Sequence, residues 1–183
     1  MNDVKQYKVD VPKVLKWVGS KDTIIDTILR HTDKNILEAP EFTFIEPFAG
    51  SASLSLYMLK HYKNCKRVVI NDLNTGLINV YKQIRDNVDE LIDLLTDLRL
   101  EYVGYEFGST DREDMYYRCR EEYNTEPKST TKSAALFMFL NKTGFNGLYR
   151  ENSKGLYNVS HGCKKNPAVF DVDTLRECSE LLK

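Results

Sequence analysis

The segment Phe44-Ile-Glu-Pro-Phe-Ala-Gly50 sets one glycine where an apolar run gives way to Ser51 and a helically spaced stretch. A glycine at such a turn lets a bound molecule approach the backbone with no side chain in the way, and the start of the following helix favours a carboxylate. Roughly 20 residues later the β-branched run Lys66-Arg-Val-Val-Ile70 ends in Asn71-Asp72, and an acid so placed accepts hydrogen bonds from ribose hydroxyls. The three-glycine pattern that wraps a pyrophosphate is missing, which argues against NAD and for a nucleoside cofactor without a phosphate chain. Taken singly, Gly50 reads as a tight turn and Asp72 as a helix N-cap ahead of Leu73. Their position and spacing together make a nucleoside site the better account.

A second group of residues suits nucleic acid. The formal net charge is -1, so the chain is not a globally basic binder and any such contact must come from a local patch. The charges are segregated: Asp86 to Glu126 holds 13 acidic residues and four arginines, whereas Lys142 to Lys165 holds five Lys or Arg against the single acid Glu151. Nucleic acid, if bound, is expected on the second segment. The cysteines Cys65, Cys119, Cys163 and Cys178 include no Cys-x-x-Cys pair, and His31, His61 and His161 are isolated, so reduced thiols and no metal site are expected.

These residues need a scaffold, and the periodicities describe one. A chain of 183 residues with 42% hydrophobic and 29% charged content is suited to one folded body. Its longest apolar run, Ala134 to Leu140, is far short of the ~18 residues that span a membrane, and its N-terminus has no signal-peptide core, so a cytoplasmic location is expected. Ile24, Ile25 and Ile28 predict a helix over Lys21 to Arg30, followed by a strand at Thr43 to Glu46. The next helix runs from a Ser51 N-cap to Lys60, through Leu54, Met58 and Leu59. A second strand at Lys66 to Ile70 leads to a helix through Leu77, Ile78, Tyr81 and Ile84. Strand, helix, strand, helix implies an α/β fold with a parallel sheet. Helices are expected across Val88 to Tyr105, much of Met115 to Tyr123, and Lys132 to Asn141, with another beginning near Asp171. The acidic runs read as solvated helix faces. Lys142 to Pro167 has no clear period and is expected to be a functional loop or disordered.

Four blocks, in order, resemble the Dam family of DNA adenine-N6 methyltransferases. They are Lys16-Trp-Val-Gly-Ser-Lys21, Phe44-Ile-Glu-Pro-Phe-Ala-Gly50, Asn71-Asp-Leu-Asn-Thr-Gly-Leu-Ile-Asn79 and Leu140-Asn-Lys-Thr-Gly-Phe-Asn-Gly-Leu-Tyr-Arg150. The resemblance covers nearly the whole chain. It implies S-adenosyl-L-methionine as cofactor, double-stranded DNA as substrate, and a Rossmann-like methyltransferase fold with a helical and loop target-recognition region. It makes Trp17 and Lys21 cofactor contacts, the indole as an apolar wall and the ammonium as partner of the cofactor carboxylate. Phe48 and Gly50 then line the methionine and adenosine pocket, and Asp72 holds the ribose. Lys16 corresponds to a DNA contact.

The block Phe145-Asn-Gly-Leu-Tyr-Arg150 is similar to the family's recognition loop. In that reading the aromatic Phe145 wedges into the base stack, Asn146 touches the backbone, Leu148 belongs to the same contact surface and Arg150 reads a base. An arginine grips guanine bidentately, and an aromatic fills the space left by an extruded base. Lys164 and Lys165 supply nonspecific attraction. Asn152, Gly155, Tyr157, Asn158 and Gly162 continue the pattern. Ser160 departs from the usual proline and Cys163-Lys164 from the frequent Arg-Tyr, so the target sequence, GATC included, is left open.

Adenine-N6 transfer in this family uses Asp-Pro-Pro-Tyr, and the prolines here, at 12, 40, 47, 127 and 167, are never adjacent. No catalytic residue is therefore assigned. The expectation is a cofactor-binding stretch over 1–86, a helical and target-recognition region over 87–168, and a return toward the catalytic part over 169–183. The sheet is incomplete and is to be finished by a second polypeptide carrying Asp-Pro-Pro-Tyr or by a missing C-terminal part. A non-enzymatic DNA-binding or regulatory remnant is the alternative. Retention of Trp17, Lys21 and Asp72 favours the enzyme, because a DNA tether needs no cofactor pocket.

Overall fold

A computed structural model describes residues 10–183; residues 1–9, the start of the expected 1–86 stretch, lie outside the described residues. Two strands, β1 (Phe42–Glu46) and β2 (Cys65–Ile70), pair in parallel with Thr43 opposite Arg67 and Glu46 opposite Ile70. The connection between them is α3 (Ser53–His61), the crossover helix that parallel pairing requires. The chain is thus a mixed α/β protein with a small parallel sheet. Ahead of it a short 3-10 turn, Lys21–Thr23, precedes α1 (Ile25–His31) and α2 (Lys34–Leu37). The single helix expected over Lys21 to Arg30 is divided, because Ile24 at φ -120° and ψ 4° leaves helical geometry.

The start of α3 also differs from the sequence expectation. Ser51 is not its N-cap; Ala52 holds that position with a left-handed φ of 51°. The Ser51 hydroxyl instead lies 2.7 Å from those of both Ser20 and Ser53, so it joins the N-terminal segment to the turn.

After β2 the chain is helical. The helices are α4 (Thr75–Asp86), α5 (Val88–Gly104), α6 (Thr110–Thr125), α7 (Thr131–Thr143) and α8 (Val172–Leu182). Each except α5 has a side-chain cap: Asn74, Ser109, Thr130 and Asp171 accept from backbone N–H groups of the first turn. The core lies among these helices, not on the sheet. Nearly all of α7 is buried, from Ala134 to Asn141, and it packs on α4, α5 and α6. One apolar cluster runs from Val11 through Leu77, Leu95 and Phe137 to Cys178. The acidic residues of α5 and α6 line outer faces, while Leu91, Leu95, Tyr102, Met115 and Tyr116 turn inward.

The sheet itself is covered on one side. Phe42, Phe44 and Val68 join Ile25, Leu54 and Met58 in a small second cluster. The opposite side leaves Ile45 61% exposed, and a groove of about 350 Å³ runs beside β2 between Val68, Ile70, Tyr81 and Leu182. A parallel sheet normally has both faces covered. No helix among the described residues is long and apolar enough to cross a membrane.

Candidate cofactor pocket and DNA interface

The carboxyl ends of β1 and β2 meet at one point. Gly50 donates its N–H to Asp72 Oδ2 at 2.9 Å, and the buried Tyr81 hydroxyl donates to Gly50 O at 2.9 Å. Gly50 has a φ of 52°, and a β-carbon on it would stand 2.8 Å from Trp17 Cδ1. Only glycine fits, both for its left-handed backbone and because the indole fills the side-chain space. Asp72 Oδ1 accepts from Asn74 N at 3.0 Å, so the acid braces the turn, while Asn74 caps α4 through Leu77 N. Asp72 is therefore not the helix cap. Each carboxylate oxygen accepts one of these bonds, which leaves lone pairs facing a hollow of about 400 Å³ also lined by Leu73, Thr75 and Tyr149.

Lys21 lies on the other side of the turn. Its ammonium donates to Phe48 O at 2.6 Å and is 3.0 Å from Glu46 Oε1. Glu46 is buried at the end of β1 and its other oxygen accepts from Ser55 N at 3.0 Å and from the Ser55 hydroxyl. An ammonium has three donors, and these two contacts leave one for a ligand carboxylate. Phe48 is 80% exposed and Leu73 97%, an unusual surplus of apolar surface flanking a charged turn. The five expected cofactor residues thus meet around one turn, Gly50 touching Trp17 and Asp72 and Lys21 touching Phe48, but of the five only Asp72 lines the hollow.

The expected recognition segment is ordered by specific bonds. The buried Asn141 side chain accepts from Lys16 N at 2.8 Å and donates to Lys16 O at 2.9 Å and Gly147 O at 3.0 Å. Asn124 on α6 holds Tyr157 in the same two-bond manner, at 2.8 and 3.1 Å. A small hairpin forms between them, with Asn158 N donating to Arg150 O at 3.0 Å and Asn152 N to Leu156 O at 2.9 Å. The stretch Lys142 to Pro167 is therefore a pinned loop, and buried Tyr157 and Val159 are its anchors.

The expected DNA residues lie around this loop in different environments. Phe145 is 53% exposed and Asn146 stands beside it with a left-handed φ of 54°. Arg150 is exposed, its Nε donating to Asn158 Oδ1 at 2.8 Å and a terminal nitrogen to Asn158 O at 3.1 Å, which orients the guanidinium and leaves three N–H donors free. Leu148 is half-buried against the core, Lys164 is half-buried, and Lys16 and Lys165 are exposed. Between the two sites the rings of Trp17, Phe137 and Tyr149 meet at centroid separations of 6.4, 5.2 and 5.8 Å.

Residues 17–183 match the family model of the D12 class N6 adenine-specific DNA methyltransferases. The chain belongs to that family. It is 38% identical over 177 residues to the type II methyltransferase M.MjaIII of Methanocaldococcus jannaschii, covering 96% of this chain and 60% of the relative. It is 32% identical over 185 residues to the type II methyltransferase M1.LlaDCHI of Lactococcus lactis subsp. cremoris, covering all of this chain and 58% of the relative. It is also 33% identical over 153 residues to the DNA adenine methylase of Salmonella typhi, covering 84% of this chain and 48% of the relative. The chain therefore spans about half to three fifths of the length of these relatives.

Several residues that shape this site carried no part in it from sequence, where Ser51 reads only as a helix cap. Glu46, the hydroxyls of Ser20, Ser51 and Ser53, and the clamps Asn124 and Asn141 belong to them. Ser20, Glu46 and Asn141 stand inside the blocks that carry the resemblance, which was the available signal. Asn124 had none, being one polar residue in a polar helix.

The contact between Gly50 and the indole is open to test, because Trp17 is the only tryptophan. Gly50→Ala is expected to destabilise the fold by about 1 to 3 kcal/mol through backbone strain, and to displace the indole. Urea unfolding and tryptophan emission measure both effects. Unchanged stability and emission would mean that the turn tolerates a β-carbon.

Proposed function

We propose that this chain is the S-adenosylmethionine-binding and DNA-recognition part of a site-specific DNA adenine-N6 methyltransferase. Its sheet, on this reading, is the beginning of a Rossmann-like methyltransferase sheet. Residues 1–86 serve the cofactor, 87–168 the DNA, and 169–183 lead back toward the catalytic part. The observation that carries the reading is Asp72, bonded to the Gly50 turn while facing a hollow large enough for a nucleoside. Bound S-adenosylmethionine supplies an activated methyl group on sulfur. Asp72 accepts from the ribose hydroxyls, Lys21 uses its free donor on the carboxylate, and Trp17, Phe48 and Gly50 bound the apolar part. Duplex DNA lies against Lys16, Phe145, Asn146, Leu148, Arg150, Lys164 and Lys165.

The amine of adenine is a poor nucleophile and needs acceptors that hold it in line with the methyl donor. Asp-Pro-Pro-Tyr, which serves that purpose in relatives, is not within these 183 residues. We infer that it is supplied from outside them, by a second polypeptide or by further chain. The bare side of the sheet at Ile45 and the groove beside β2 support such a completion, since covering them buries apolar surface.

Asp72→Ala is expected to weaken S-adenosylmethionine binding by roughly 1.5 to 3 kcal/mol, the worth of hydrogen bonds to a charged acceptor. Calorimetry reads this directly, and equal affinity in a folded variant would reduce Asp72 to a brace for the turn. Arg150→Ala is expected to cost on the order of 1 to 3 kcal/mol of discrimination at one base pair while nonspecific affinity barely changes. A uniform loss over all sequences in a binding competition would remove Arg150 from base reading. In a methyl-transfer assay on mixed-sequence duplex, the 183-residue chain is expected to be inactive alone and active once a polypeptide bearing Asp-Pro-Pro-Tyr is added. Transfer by the chain alone would sink the proposed division, and no transfer with any partner would favour a DNA-binding remnant.

A further inference from the structure

Three lysines gather beneath the recognition loop. Asn141 fixes the backbone of Lys16, whose stem lies against Gly147: a β-carbon there would meet Lys16 Cδ at 2.7 Å. Gly147 has a φ of 67°, so the loop can pass this close only with glycine. Lys164 donates from its ammonium to Lys142 O at 2.6 Å, at the end of α7. Lys16 and Lys142 in turn face Lys164 closely enough to act on its charge.

None of the three pairs with a carboxylate among the described residues. The other charged and titratable neighbours are accounted for. From α5 the Tyr102 hydroxyl, and from α6 the Arg112 guanidinium, reach the Lys164 carbonyl, not its ammonium. His161 lies 2.6 Å from the Tyr102 hydroxyl, and Cys163 precedes Lys164 with a left-handed φ of 48°. Lys13 and Asp171 line a hollow with Lys142, but Asp171 is engaged with Thr174 as the cap of α8. Partial burial and the charges of Lys16 and Lys142 push Lys164 down to about 8, and burial followed by Lys16 lowers Lys142.

We propose that Lys16, Lys142 and Lys164 form one phosphate-gripping cluster of the DNA interface, and that seating a backbone phosphate there takes up a proton from solvent. The inference rests on the DNA-binding reading above and adds its regulation by pH. Like charges held together without a counter-ion are unfavourable until an anion sits among them. A phosphodiester carries one negative charge and acceptor oxygens, and Lys16 lies against Gly147 of the same loop that carries Phe145 and Arg150. Its charge favours the ammonium form of Lys164, so a neutral amine there gains one proton from solvent and no bond between heavy atoms forms or breaks.

The sign follows from the lowered value. In the free protein the Lys164 ammonium is complete well below pH 8 and empties as pH rises through about 8. The phosphate-bound form keeps its proton to higher pH. Affinity for DNA is therefore level at lower pH and falls above about 8, approaching tenfold per pH unit for one linked proton. Lys164→Arg holds its charge throughout this range and removes the linkage.

The test is fluorescence anisotropy with a labelled mixed-sequence duplex at constant ionic strength, from about pH 6.5 to about pH 9.5, on the full chain and on Lys164→Arg. The native chain is expected to lose about tenfold per unit above pH 8, and the variant less than about threefold over the whole range. Lys142→Met gives an independent check, since removing a neighbouring charge moves the break in the native profile to higher pH. A flat profile for the native chain, or the same slope in Lys164→Arg, overturns the proton linkage while leaving DNA binding intact. No binding at any pH overturns the DNA-binding reading as well.

Discussion

The indole of Trp17 fills the space that a β-carbon on Gly50 would need, 2.8 Å from it, and the functional geometry is arranged around that contact. One ring edge closes the glycine turn at the end of β1. The same ring packs on Phe137 of the core helix α7 and on Tyr149 of the loop that follows it. Three segments distant in sequence are thereby held in register by one side chain. A flat, rigid aromatic does this at low conformational cost, since it has only two side-chain torsions to fix.

Hydrogen bonding solves a different problem in the same neighbourhood. An irregular loop carries backbone groups that need partners wherever it is buried. Asn141 and Asn124 supply them by presenting one donor and one acceptor to the main chain, as a neighbouring strand would. The loop is thus rigid at Lys16, Gly147 and Tyr157, while Phe145, Asn146 and Arg150 remain exposed on it. Exposed residues on a loop held by a rigid scaffold are a common setting for binding.

Charge is distributed to match. The acids of α5 and α6 point away from the core on their helices, and the loop region concentrates lysine and arginine. Arg112 is the exception on α6: it is buried, stacks over the Tyr102 ring at 4.6 Å, and donates to the carbonyl oxygens of Lys164 and Lys165. It holds the end of the basic segment through the backbone, while the Lys164 ammonium turns to Lys142 O and Lys165 stays exposed.

Much was legible in the residues alone. β-branched runs marked both strands to within a residue or so, helical periodicity marked α4, α5 and α7, and the glycine-to-acid spacing placed Gly50 beside Asp72. Those features depend on local preference and on a short crossover whose geometry is nearly obligatory. Other outcomes were not local. Ser51 looks like an N-cap, yet its hydroxyl is taken by Ser20 and Ser53, and the turn is shaped by Trp17, 33 residues earlier. The stretch from Lys142 to Pro167 has no period because asparagines on α6 and α7 hold it, and no pattern within it can reveal a partner outside it. The gathering of Lys16, Lys142 and Lys164 has the same origin, for residues separated by more than a hundred positions become neighbours only when the core that carries them has packed.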